Sequence, residues 1–138
     1  MKTGSEIEQY VYGLINRSEI KSLIKGKVYR YGLRPFNSKN EDCVVSFQTG
    51  LNGQFQDGSV NVNIYVPDIP FTDENGRSVL VKDFARCQVI ERACQDFINT
   101  LTAGEYRFRL ASTMQTFPDE ETDQHFVNMR LRYERVTF

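Results

Sequence analysis

The hydrophobic pattern of this chain is dominated by alternation. From His125 to Glu134, Val127, Met129, Leu131 and Tyr133 point one way, and Asn128, Arg130, Arg132 and Glu134 the other. Successive side chains on a strand leave opposite faces, so the pattern predicts a sheet with one dry face and one polar face. Tyr106, Phe108 and Leu110 alternate with Glu105, Arg107 and Arg109 in the same way. Val60, Val62, Ile64 and Val66 do so against Asn61, Asn63 and Tyr65, and Cys43, Val45 and Phe47 define a further strand over about 41–49. The Asp57-Gly58 turn signal links that strand to the one over 59–66, with Gly50-Leu51-Asn52-Gly53 before it, and makes the two antiparallel neighbours.

Helical spacing occurs twice. Ile7, Tyr10, Val11, Leu14 and Ile15 form a stripe on a first helix with Ser5 as its cap, ending near Asn16 to Ser18. Ile20, Leu23 and Ile24 add one turn, and Gly26 releases a short strand over 27–31. The main helix is expected over 79–102, with Leu80, Phe84, Cys87, Val89 or Ile90, Cys94, Phe97, Ile98 and Leu101 on its apolar face. Lys82, Arg86, Gln88, Arg92 and Gln95 form its solvent side, and Gly104 stops it. The predicted class is therefore α+β, an antiparallel sheet packed against a long helix and an N-terminal helix, in one domain over 1–138.

The connections are polar. Arg34 to Asn40 is a turn-rich link. Residues 67–76 form an exposed loop with two prolines, in which Ile69 and Phe71 either tuck back onto the domain or dock on a neighbouring subunit. Residues 113–124 carry Asp119, Glu120, Glu121 and Asp123, and either extend the last hairpin or stay mobile.

Composition adds few chemical options. The net charge is −1, which excludes a general polyanion binder while allowing local basic patches. Cys43, Cys87 and Cys94 match neither a disulfide framework nor a zinc spacing, and read as small buried hydrophobes. The opening MKTGSEIEQY has no apolar signal-peptide core, and no run approaches the roughly 20 residues of a membrane span, so a soluble protein made in a reducing cytoplasm is expected. A catalytic triad would have to use the single histidine, His125, which reads instead as a strand-edge surface residue. The acidic link lacks the ordered ligands of a calcium loop, and no phosphate-binding glycine loop is present. No catalytic, cofactor or metal residue is assigned.

The chemistry that remains is the polar sheet face. Arg107, Arg109, Arg130 and Arg132 fall on it, and would lie together if the last two strands pair. Like charges facing each other destabilise a sheet unless they are answered. The answering carboxylates are Glu105, Glu134 and Asp42 of the same subunit, or those of a partner. Nucleic acid is the other option, with Phe126 and Tyr65 as outward aromatics. These four arginines, with Ile69 and Phe71, are the candidate interface.

The layout resembles the tail terminator and tail-completion (head–tail joining) proteins of long-tailed bacteriophages. It does so through the N-terminal helix, Gly26-Lys27-Val28-Tyr29, Arg34-Pro35 leading into Glu41-Asp42-Cys43-Val44-Val45, Val60 to Pro67, the long helix, and the closing strand His125 to Glu134. The 67–76 excursion and the acidic 113–124 link depart from that pattern, leaving terminator, head–tail joining protein and a relative in a defective prophage all open. The resemblance implies a structural protein without catalysis or cofactor, and a homo-oligomeric ring, often of six subunits. It also implies tail-tube or head–tail connector proteins as partners, assembly in the host bacterial cytoplasm and a final place in the virion tail.

Overall fold

A computed structural model describes residues 2–51, 55–101 and 106–136. Asn52 and Gly53 of the expected turn, the helix-stopping Gly104 and Glu105 lie outside the described residues.

Helix α1 (Gly4–Asn16) is capped by Thr3 rather than Ser5. Thr3 accepts from the Glu6 amide at 3.2 Å, and the Glu6 carboxylate accepts from the Thr3 amide at 3.2 Å. Ser5 also has a glutamate three residues on, but that carboxylate, Glu8, accepts from Arg30 Nε and the Phe47 amide, and the capping box is Thr3 with Glu6. Ile7, Val11 and Ile15 form the buried stripe. A second cap, Ser18, starts the single turn α2 (Glu19–Leu23).

The main sheet runs β1 (Val28–Arg30), β2 (Cys43–Leu51), β3 (Phe55–Pro67), β8 (Gln124–Val136) and β6 (Tyr106–Leu110), with β7 (Gln115–Asp119) also on β8. The α+β class holds, and the strands over 41–49 and 59–66 are antiparallel neighbours. One pair departs from the antiparallel expectation: β1 is parallel to β2. A parallel neighbour needs a return connection of roughly a dozen residues, and the stretch from Tyr31 to Asp42 supplies it. That return begins at Gly32, whose φ of 87° is in the left-handed region.

The expected 67–76 loop and the first turns of the expected main helix are instead one structure. Strands β4 (Ile69–Thr72) and β5 (Ser78–Val81) pair as a separate two-stranded hairpin. The Asp73 carboxylate sets its turn, accepting from the amides of Asn75 and Arg77 at 2.9 Å each. Helix α3 therefore begins later, at Phe84, and ends at Thr100. Asp83 caps it, accepting from the Arg86 amide at 3.1 Å. The helical phase of Leu80 was fortuitous, because the β-branched neighbours Val79 and Val81 favour a strand. Leu80, Phe84 and Val89 are exposed, and the apolar face of α3 narrows to Cys87, Ile90 and Cys94, with Phe97, Ile98 and Leu101 half-buried. The acidic link does extend the last hairpin, as β7.

The core lies between the helices and one sheet face. Val60, Val62, Ile64, Val127, Met129, Leu131 and Tyr133 are buried there. Helix α1 packs on β1 and β2, α3 on β3, β8 and β6, and α2 joins the two helices.

Candidate interaction surfaces

The other sheet face can be read row by row from the register of β3 and β8. Tyr65 faces Phe126, Asn63 faces Asn128, Asn61 faces Arg130, Ser59 faces Arg132, and Asp57 faces Glu134. On the far side of β8, Phe117 faces Phe126, Arg109 faces Arg132 and Arg107 faces Glu134. All four sequence-predicted arginines are thus brought onto one patch.

Arg109 and Arg132 are direct cross-strand neighbours, which costs stability unless each is answered. Asp57 answers Arg132, with Nη2 donating to Oδ2 at 2.6 Å, and this bond raises the guanidinium pKa further. Glu134 lies 3.7 Å from Arg109. Asp57 was missed as a partner because only the β3–β8 register reveals it. Asp42, expected to answer the arginines, does not, being buried at the other end of the sheet. Among the described residues, Arg107 and Arg130 have no ion pair.

At the opposite end of the face, three aromatic rings form a row across three strands. Tyr65 and Phe126 have centroids 5.3 Å apart, and Phe126 and Phe117 5.6 Å. Phe117 was not recognised from the sequence because its segment read as a link. At about 3.3 Å per residue, the aromatic row lies roughly 20 Å from the Arg109–Arg132 row.

The connection from Tyr31 to Asp42 roofs this aromatic end. Arg34 stacks on Tyr65, with Cζ 3.9 Å from the ring centroid. Its Nε donates to Asp42 Oδ2 at 3.1 Å, and its Nη2 to Gln124 Oε1 at 2.9 Å and to the carbonyls of Ser38 and Asn40 at 3.1 Å each. Asp42 also accepts from the Lys27 amide at 3.0 Å and the Ser38 hydroxyl at 2.7 Å. Burial pushes the Asp42 carboxyl up, but these hydrogen bonds and the Arg34 charge outweigh it, and the net pKa is lowered. With its base so fixed, the roof displays Tyr31, Leu33 and Phe36 to solvent. The stretch read as a polar connection therefore carries an apolar crest on a buried polar anchor.

The β4–β5 hairpin excludes one of the two fates open to Ile69 and Phe71. Neither tucks back: they are 42% and 54% exposed. Cross-strand partners share a face, so Ile69, Phe71, Val79 and Val81 form one apolar surface. At the root of the hairpin, His125 Nδ1 lies 2.7 Å from Asp68 Oδ1, and the Asp68 amide donates to the Asp123 carbonyl at 3.0 Å. His125 opens β8 as expected, but the strand lies inside the sheet, between β3 and β7, and the residue has a carboxylate partner. No nucleophile is bonded to it among the described residues.

The three cysteines are buried and free. Burial pushes the Cys87 thiol to about 11 and the Cys94 thiol to about 12, so neither is a thiolate nucleophile at neutral pH. Among the described residues there is no cluster of three metal-ligating side chains, and no helix is long and apolar enough to cross a membrane. Neither comparison with protein families nor comparison with curated proteins finds a match for this chain.

Proposed function

We propose that this protein is a structural virion-assembly subunit, a tail terminator or tail-completion protein of phage or prophage origin. Its copies assemble into a ring at the head–tail junction, in contact with tail-tube or connector proteins. It forms in the host cytoplasm and stays in the virion tail, without cofactor or catalysis. The observation that carries this reading is the uncovered apolar face of the β4–β5 hairpin. A two-stranded hairpin is marginal in water, and an apolar one held off the domain calls for a neighbour. The charge layout supports the same reading. Glu120, Glu121 and Asp123 lie at one end of β8 and the arginine patch towards the other, so unlike ends of successive copies can meet head to tail and close a ring.

Light scattering across a concentration series, with negative-stain microscopy, tests this reading. Rings or a defined oligomer are expected. A wild type that stays monomeric when concentrated removes self-association. His125→Ala should leave assembly intact; catalytic turnover that vanished with this change alone would overturn the structural role. Portal, capsid and tail-tube genes beside its own would support the assignment.

The aromatic row favours a second reading, a binding domain whose sheet face takes single-stranded nucleic acid or an acidic protein. Stacking rings beside guanidiniums suit bases and phosphates. Salt-sensitive binding of an oligonucleotide, lost in Phe126→Ala, would favour it over the ring.

A further inference from the structure

We propose that the β4–β5 hairpin of one copy docks into the groove between α2 and α3 of the next. The inference rests on the assembly reading and names the surface that receives the hairpin. The groove has a volume of about 760 Å³, and Ile20, Leu23, Val89, Ala93 and Phe97 supply its apolar lining. Val89 is 47% exposed, although it lies mid-helix on α3. This is the side of α3 away from buried Cys87, Ile90 and Cys94, and nothing among the described residues covers it.

Hairpin and groove are complementary in kind. The hairpin presents Ile69, Phe71, Val79 and Val81 on a narrow two-stranded blade. Its tip carries Glu74, which has no ion pair among the described residues, and Arg77, which is paired loosely with Asp73 at 3.4 Å. The groove rim carries Arg17 and Arg92, also without ion pairs among the described residues, and Glu19 and Asp96. Glu74 is thus set against Arg17 and Arg92, and Arg77 against Glu19 and Asp96. Every copy owns one hairpin and one groove. The contact is heterologous, the kind that propagates from copy to copy and closes into a ring when the rotation allows. A hairpin-to-hairpin contact would instead be isologous and stop at a dimer.

The test uses the full chain and two variants at exposed positions, where the monomer fold is not at stake. Phe71→Glu disables the hairpin, and Val89→Glu disables the groove. Each should weaken assembly by about tenfold or more in dissociation constant. Circular dichroism and Tm should stay at the wild-type values. Mixed in equal amounts, the two variants retain one intact hairpin and one intact groove, so a heterodimer should form without larger species. Arg92→Glu should weaken assembly, and Glu74→Arg in the same chain should restore part of it. Assembly of Val89→Glu at wild-type strength, with Phe71→Glu still defective, would overturn this docking site while leaving self-assembly standing. A monomeric wild type would overturn both.

Discussion

Arg86 reaches from the first turn of α3 to grip Glu41 at the entry to β2, donating from Nη2 to Oε1 at 2.6 Å and from Nε to Oε2 at 2.9 Å. The same Nη2 also reaches the Leu23 carbonyl at 2.9 Å, and Glu41 accepts from the Lys25 amide at 3.1 Å. One guanidinium thus ties α3, α2 and β2 together. The bond to Glu41 raises the Arg86 pKa. A buried pair broken by removing one partner leaves a desolvated charge behind. Glu41→Ala should therefore cost about 3–5 kcal/mol in urea unfolding. Arg86→Lys, which loses the fork, should recover only part of the stability lost in Arg86→Ala. Losses within experimental error would show the clamp to be ornamental.

Stability should depend on acid through Asp42. Its folded pKa is lowered from an ordinary 3.8, so the unfolded chain takes up the proton first as pH falls. The stabilisation is fully present above that value and is lost as pH drops through the lower folded one. Asp42→Asn should be less stable at neutral pH, with a flatter acid-unfolding profile below about pH 4. Parallel profiles for the two proteins would exclude Asp42 as the acid-sensitive group.

Gly26 is held against Glu41 and Asp42, its amide donating to the Glu41 carbonyl at 2.8 Å. An added Cβ would collide with Asp42 Oδ1 and with the backbone of Glu41. Gly26→Ala should cost about 1–3 kcal/mol by forcing the two apart, measurable as a fall in Tm. An unchanged Tm would mean that the 25–42 contact gives way easily.

Leu131 is buried under the helices, and Leu131→Ala should cost about 2–5 kcal/mol in chemical denaturation. A loss below about half a kcal/mol would place it on the wrong face.

The arginine patch should act in assembly through its unpaired members. Arg130→Glu with Arg107→Glu should weaken self-association while the fold persists. Arg132→Glu should destabilise the fold as well, since it puts a carboxylate beside Asp57. High salt should weaken wild-type association if the patch contacts are exposed. Light scattering in low and high salt would decide the point, and salt-independent assembly would count against the patch.

The sequence by itself determined the alternating strands, the dry and wet faces of the sheet, the stripe of α1 and the buried cysteines. Each follows from local periodicity and from the free energy of burying apolar side chains, and both are written in neighbouring residues. It also placed the four arginines on one face, because parity along a strand is a local property. The tertiary structure decided which groups answer them. Asp57 meets Arg132 only through a pairing of segments far apart in the chain. Likewise, Leu80 had a helical phase and took a strand because Ile69–Thr72 was there to pair with it. Arg86 looked like a solvent-facing residue and became a clamp, because Glu41 enters the sheet beside the first turn of α3. Arg34, placed in a polar link, became the anchor of a roof through Asp42, Gln124 and Tyr65. Long side chains such as arginine take their role from whatever lies within several ångströms, and only the assembled fold specifies that neighbourhood.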